Sequence, residues 1–320
     1  MRRFLAVLGL ACLPWMAEAQ VVPRVELHPF ETRTPTDQQF LTGAADTSRV
    51  TIAGELRLPV AGTDRLPAVV LLHGSGGISS HLQAWVHELN GMGIATFVVD
   101  SFAGREITST VADQDRLSRL AMVVDAYRAL DLLAAHPRID PARVAVMGFS
   151  RGGGAAHWAA MDRFREMHAA QSRARYALHI AFYPTCNRDF RDALATGAPV
   201  RIIHGTADDF IPITECRDLI GRLRAAGRDA SILEIPEAHH VFDAPAGNLS
   251  RAPQAQTTRG CPNIRETPEG NLVNSATGRP FTYASDPCVE RGTTFGRDAA
   301  GLETARRTVR DMLVAAGFAR

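Results

Sequence analysis

The sequence is poor in several features that would each commit it to a particular role. Charge of one sign is missing: 35 basic residues stand against 34 acidic ones, a formal net charge of +1. No field of that kind gathers nucleic acid or anionic lipid, and a small, neutral or weakly charged substrate suits the chain better. No pair of histidines and acids has metal-ligand spacing, and no dinucleotide fingerprint follows a strand-like run, so neither a metal nor another cofactor is expected. No internal repeat is visible. Long hydrophobic runs are confined to the first residues, and that run is shorter than the ~20 residues a membrane-spanning helix needs.

That first run reads as an address. Arg2 and Arg3 precede an apolar stretch, 4–16, that leads into Ala17-Glu18-Ala19. This is the order of regions in a secretory signal peptide, which makes Gln20 the expected first mature residue and predicts a periplasmic or secreted protein. Cysteine is also scarce, five in all. Cys12 leaves with the signal, and Gly9-Leu10-Ala11 before it lacks the large aliphatic residue three positions upstream that a lipoprotein signal has. Cys186, Cys216, Cys261 and Cys288 remain. An even number in an exported chain favours disulfides over metal binding or catalysis.

Between residues 50 and 235, short apolar runs alternate with helical periodicities. This predicts an α/β fold with a mostly parallel central sheet and helices on both faces. Strands are expected at 50–58, 68–72, 94–99, 144–147, 176–182, 200–203 and 231–235, with a weaker one at 40–43. The runs at 68–72 and 94–99 are apolar without alternation, as in strands buried on both faces. Helices are expected from about 120 to 136, at 214–226 and from about 297 to 316. Residues 20–320 therefore read as one domain. The stretch 244–296, rich in Pro, Gly, Thr, Asn and Arg, reads as an irregular insertion, of a length seen in lids and stapled loops.

The chemistry is concentrated in three places. An apolar strand runs into Gly148-Phe149-Ser150-Arg151-Gly152 and then into a helix-like stretch, which is G-x-S-x-G in the strand, turn and helix context it requires. A serine hydroxyl needs a base, and the base needs an orienting acid. The strand at 200–203 ends in His204-Gly205-Thr206-Ala207-Asp208-Asp209-Phe210-Ile211-Pro212. The strand at 231–235 ends in Pro236-Glu237-Ala238-His239-His240-Val241-Phe242-Asp243. Both ends are expected at the same sheet edge as Ser150, where parallel α/β sheets hold their active sites.

These turns, together with His73-Gly74-Ser75-Gly76-Gly77 and Asp100-Ser101-Phe102 followed by Arg105, resemble the dienelactone hydrolase family of the α/β-hydrolase superfamily. The resemblance covers about 40–243 and the last helix, not the insertion. It implies Ser150 as nucleophile, Asp208 as orienting acid and His240 as base. Asp209 and His239 are then loop contacts. The family's namesake uses a cysteine nucleophile where this chain has Ser150, so the resemblance implies a serine hydrolase of carboxylic esters or lactones acting through an acyl-enzyme. The same constellation serves peptidases and acyltransferases, and a non-catalytic binding protein on a hydrolase scaffold is the third reading.

An oxyanion hole is expected from the backbone amides of Arg151 and Ser75, with Gly76 as the alternative to Ser75. Arg105 is placed either to meet a substrate carboxylate or to brace a loop through Asp100 or Asp113. His73 and His204 are expected to be structural hydrogen-bonders, and His157 and His168 surface or packing residues. Four cysteines allow three pairings. The expected one joins Cys186 to Cys216, since both emerge past neighbouring strands, and leaves Cys261 with Cys288 to close the insertion on itself. The oligomeric state is left open.

Overall fold

A computed structural model describes residues 24–44, 46–169 and 173–319. The expected signal segment, with Cys12 and Gln20, lies outside them. The central sheet is built from β1 (Arg24–Thr34), β2 (Ser48–Leu58), β3 (Leu66–Leu72), β4 (Ala95–Asp100), β5 (Ile139–Phe149) and β6 (Leu178–Phe182). A two-residue strand, β7 (Arg188–Asp189), stands outside it, and β8 (Val200–Gly205) and β9 (Ala230–Ile235) complete it. The strand order is β1-β2-β4-β3-β5-β6-β8-β9. β1 and β2 run antiparallel to their neighbours, and β4, β3, β5, β6, β8 and β9 are parallel.

Burial on both faces explains the unalternating apolar runs. In β3, Ala68, Val70 and Leu72 enter one core, while Val69 and Leu71 enter the other. Successive side chains of a strand point to opposite faces, so both rows must be apolar when both faces are covered. Each such side chain contributes about 2 kcal/mol on burial. The helices that cover the faces include α1 (Asp37–Thr42), α2 (Ser80–Gly91), α3 (Arg119–Ala135) and α4 (Arg151–Trp158). They are followed by α5 (Asp162–His168), α6 (Thr214–Ala225) and α7 (Ala299–Ala315).

Two features differ from the sequence reading. Residues 40–43 are not a strand but the end of α1. Thr36 accepts the amide of Gln39 while the Gln39 side chain accepts the amide of Thr36, and Gly43 closes the helix at φ 69°. This reciprocal capping outweighs the short apolar pair Phe40-Leu41 as a local signal. The edge strand β1 was not expected at all, because, of its apolar residues, Val25 and Leu27 face outward and only Phe30 packs on the core. Val25 and Leu27 are 54% and 74% exposed, while Glu26 and His28 are half buried.

The insertion carries four short strands: β10 (Ser250–Thr257), β11 (Ile264–Glu266), β12 (Leu272–Asn274) and β13 (Glu290–Phe295). β10 pairs with β13, and β12, β11 and β7 form a small sheet. Ile264 and Leu272 enter the main core, and the buried carboxylate of Glu266 receives Arg163 at 2.8 and 2.6 Å and Arg191 at 3.1 Å. Disulfides join Cys186 to Cys216, Cα atoms 5.0 Å apart, and Cys261 to Cys288, Cα atoms 4.8 Å apart. The first ties the loop after β6 to the first turn of α6.

Candidate active site

The turn between β5 and α4 places Ser150 at φ 53° and ψ −111°, a conformation that costs a non-glycine residue free energy. Hydrogen bonds hold it there: the Ser150 amide donates to the carbonyl of Phe182, and its own carbonyl accepts the amide of Gly154, both at 2.9 Å. Two glycines are forced by close approach. A Cβ on Gly152 would lie 2.3 Å from the Leu72 carbonyl oxygen, and one on Gly148 would lie 2.0 Å from that of Gly152. The G-x-S-x-G spacing is thus the spacing at which strand β3 and the first turn of α4 leave no room for a side chain.

Ser150, Asp208 and His240 come together from three loops at the carboxyl ends of β5, β8 and β9. The Ser150 hydroxyl is 2.9 Å from His240 Nε2, and His240 Nδ1 is 2.6 Å from Asp208 Oδ2. Asp208 Oδ1 accepts the amides of Phe210 and Ile211, each at 2.9 Å. All three residues are buried. Burial by itself would raise the Asp208 carboxyl, but the charge and hydrogen bond of His240, with the backbone amide of Ile211, outweigh it and hold the group below the usual carboxylate range. A charged acid therefore faces Nδ1, which keeps the proton on that nitrogen and leaves Nε2 free to accept from the serine.

The His240 ring lies between Tyr183 and Phe210, with centroids 4.6 and 4.7 Å away. Its carbonyl accepts the amide of Gly296 at 2.9 Å, and the next residue, Val241, sits at φ 60°. A branched side chain rarely adopts that angle, so the surrounding contacts impose it. The insertion thus reaches His240 through its last residue.

In front of Ser150 lies a cavity of about 320 Å³. Its walls are largely apolar, with Val111, Phe149, Phe210, Val241, Ala252 and Phe295 prominent, and Ser75 and Gly76 also line it. Ala252 and Phe295 come from the insertion. Arg151 opens α4, whose first-turn amides lack intrahelical partners. Its side chain turns into the protein, where it donates to the carbonyls of Leu117 and Gln114 at 2.7 and 2.8 Å.

Arg105 is not available to a substrate. All five of its N–H groups are engaged, two with Asp125 at 2.8 Å each, the others with Thr34, Ser101 and Arg33. It braces the sheet edge against α3 through Asp125 rather than through Asp100 or Asp113, because Asp125 projects from the buried face of α3. Asp209 turns to Thr294 and not to His240, His73 donates to the Gly74 carbonyl while accepting the amide of Ser101, and His204 bonds the Gly205 carbonyl. His157 and His168 bond the carbonyls of Thr185 and Phe40.

Two groups around the site escaped the sequence reading. Asp243, the last residue of the His-Val-Phe-Asp run, is wholly buried and accepts the Tyr183 hydroxyl at 2.6 Å and the Trp85 indole N–H at 2.8 Å. Burial first, and then the charge of Asp243, keep the Tyr183 phenol protonated well above its ordinary value, so it acts as a donor that fixes the ring against His240. Gln114 is the second, and nothing in its local sequence marks it. A His/acid cluster, Glu26, His28 and His136, lies at β1. The Arg138 amide donates to His136 Nδ1, leaving the proton on Nε2 to meet Glu26 at 3.2 Å, an arrangement of hydrogen bonds rather than of metal ligation.

The model of the dienelactone hydrolase family matches residues 52–259, more than half of the chain. Among curated proteins, a protein of Methylorubrum extorquens named "Putative carboxymethylenebutenolidase" is 25% identical over 234 residues, 64% of this chain and 77% of that one. A non-reducing polyketide synthase of Penicillium brevicompactum is 34% identical over 68 residues, 21% of this chain, which spans only 3% of the synthase. Among solved structures, a dienelactone hydrolase-like promiscuous phosphotriesterase from metagenomic libraries superposes with a TM-score of 0.61 at 18% identity, covering 91% of this chain and 98% of that one. Esterase 2 of Thermogutta terrifontis, phosphorylated by paraoxon, gives a TM-score of 0.55 at 17% identity, covering 84% and 90%. With the serine elbow, the strand order and the span of the family match together, the chain belongs to the dienelactone hydrolase family.

Proposed function

We propose that the protein is an exported serine hydrolase that cleaves small carboxylic esters or lactones through an acyl-enzyme. The observation that carries this reading is the hydrogen-bonded series Ser150, His240, Asp208 at the mouth of an apolar cavity. Ser150 Oγ attacks the ester carbonyl as His240 Nε2 takes its proton, and Asp208 stabilises the imidazolium that forms. The developing oxyanion meets the backbone amides of Arg151 and Ser75. Collapse expels the alkoxide, which takes the proton from His240, and water repeats the sequence to release the acid.

The cavity wall supports neutral, apolar acyl groups, because among the described residues no lysine or arginine lines it and Arg105 is spent on Asp125. The leader-like first residues and the two disulfides support export. Labelling with a fluorophosphonate, run beside a panel of short and long acyl esters, lactones and peptide amides, tests the reading. A Ser150 adduct, lost in Ser150→Ala, with turnover on short neutral esters is the expected result; no adduct at neutral pH would refute it.

A further inference from the structure

Behind the loop of Ser75, on the side away from the cavity just described, is a second and smaller pocket of about 40 Å³, lined by Gln114, Arg119, Arg188, Tyr283, Asp37 and Asp115 among others. Gln114 and Arg188 are buried, 2% and 7% exposed. The Gln114 side-chain oxygen is saturated: it accepts Ser75 Oγ at 3.1 Å, Arg119 at 2.9 Å and Arg151 at 2.8 Å. Three donors on one atom fix which end of the amide is oxygen and leave the NH₂ pointing the other way.

That Gln114 Nε2 has no acceptor, and neither have Arg119 Nε and Arg188 Nη1, all three buried. Arg188 is held by stacking rather than by an acid, 4.8 Å over the Phe281 ring, and its remaining hydrogen bond is a long one, 3.4 Å, to the Tyr283 hydroxyl. Arg119 lies 4.5 Å over the Tyr283 ring. The two carboxylates that line the pocket are engaged elsewhere: Asp115 accepts the amides of Tyr283 and Ala284, and Asp37 accepts the Ser118 hydroxyl. Burial, and after it the charge of Arg119, holds Arg151 well below the usual guanidinium range, and burial lowers Arg188 as well.

Every buried polar atom without a partner here is a donor, and what the buried end of the pocket is short of is an acceptor. Water would satisfy the donors but bring two hydrogens needing acceptors of their own, whereas a small anion only accepts. On the wall Arg119 and Arg188 balance Asp37 and Asp115, and Arg151, which reaches the Gln114 oxygen from outside the pocket, adds one positive charge beside it. The volume is close to that of one water in the liquid, ~30 Å³, which admits a halide and little more. We propose that this pocket binds a single halide-sized monovalent anion between Arg188, Arg119 and the Gln114 amide. It would lie one hydrogen bond from Ser75 and Arg151 through Gln114, yet its occupancy can be measured without reference to hydrolysis.

The test uses the whole protein, exchanged into sodium gluconate, an anion too large for the pocket, and titrated with sodium bromide at fixed ionic strength. The expected result is a saturable rise in melting temperature, about 5 °C at a hundred times the dissociation constant. Crystals grown in bromide should show an anomalous peak within hydrogen-bond reach of Arg188 Nη1. Arg188→Met, which keeps an unbranched stem against Phe281, should abolish the rise. Should it fail to fold, Gln114→Glu serves instead, because it supplies the acceptor from within and should remove the halide dependence. A melting temperature indifferent to bromide, with water alone in the pocket, would overturn the proposal, as would a rise of undiminished size in Arg188→Met.

Discussion

Asp209 turns both carboxylate oxygens to Thr294 of the insertion, accepting its amide at 2.7 Å and its hydroxyl at 3.0 Å, with Arg259 of the same segment 3.8 Å away. Its neighbour Asp208 gives one oxygen to His240. Two adjacent acids thus face in different directions, one toward His240 and one toward the insertion. Phe210 extends the second arrangement, since its carbonyl accepts the Thr257 hydroxyl at 2.6 Å. The loop carrying the acid is therefore clasped by both β10 and β13.

This division predicts unequal effects of substitution. Ser150→Ala and His240→Ala are each expected to lower kcat by about 10⁶, and Asp208→Ala by about 10⁴, since the three act as a unit. Asp209→Ala should cost about tenfold at most, through a looser loop, and His239→Ala less. The measurement is kcat on one short ester for all five variants. Loss in His239→Ala with activity kept in His240→Ala would reverse the assignment of the base.

The insertion should set acyl size. Ala252 and Phe295 face the cavity, so Ala252→Phe is expected to lower kcat/KM for a long acyl ester at least tenfold while sparing an acetyl ester. Phe295→Ala should act in the opposite sense. Deleting the whole segment is a poorer experiment, because Ile264 and Leu272 belong to the main core. Unchanged chain-length profiles in both variants would mean that the substrate does not reach this wall.

Removing Arg105 should damage the fold and not recognition. Arg105→Met leaves Asp125, 0% exposed, without its partner, which is expected to cost about 3–5 kcal/mol in denaturant unfolding. At a temperature where the variant remains folded, the ratio of KM for a carboxylate-bearing ester to KM for a neutral one should not move. A selective rise for the charged ester would restore Arg105 to the binding site.

The disulfide between Cys186 and Cys216 anchors the first turn of α6, just after the loop that carries Asp208. The double change Cys186→Ser with Cys216→Ser is expected to lower kcat several-fold below its unfolding transition, with a fall in melting temperature. Equal kcat in the reduced and oxidised protein would show that the bridge serves stability alone.

Two buried histidines give the stability a pH dependence of definite sign. Burial pushes His157 and His179 down to about 4, against backbone bonds to Thr185 and Ala156 that favour the charged form. In the unfolded chain they take up protons near the ordinary value of ~6.5 while the folded protein keeps them neutral. Each therefore contributes stability that is present above pH ~6.5 and lost, by up to about 1.4 kcal/mol per pH unit, as pH falls toward 4. Melting temperatures across that range should fall less steeply in His157→Gln. An identical slope in the variant would mean that other groups carry the effect.

What the sequence determined by itself is local or periodic. The G-x-S-x-G pattern is legible in a short stretch of chain, although the contact that forbids a side chain at Gly152 comes from Leu72 on β3, and doubly buried strands such as β3 and β4 announce themselves by apolar runs, because both of their faces are covered whatever covers them. The order Ser150, Asp208, His240 follows from the three strand ends that carry them. Edge strand β1 stayed hidden because its outward row, Val25 and Leu27, is the apolar one, and α1 because a capping box outweighed two apolar residues. Only the tertiary structure decided which partner each charged side chain takes. Arg105 meets Asp125 twenty residues away, Asp209 meets Thr294, and Gln114 joins Ser75 to Arg151. Such pairings depend on which elements lie against each other in three dimensions, and a long polar side chain reaches several neighbours with no periodic signature to say which.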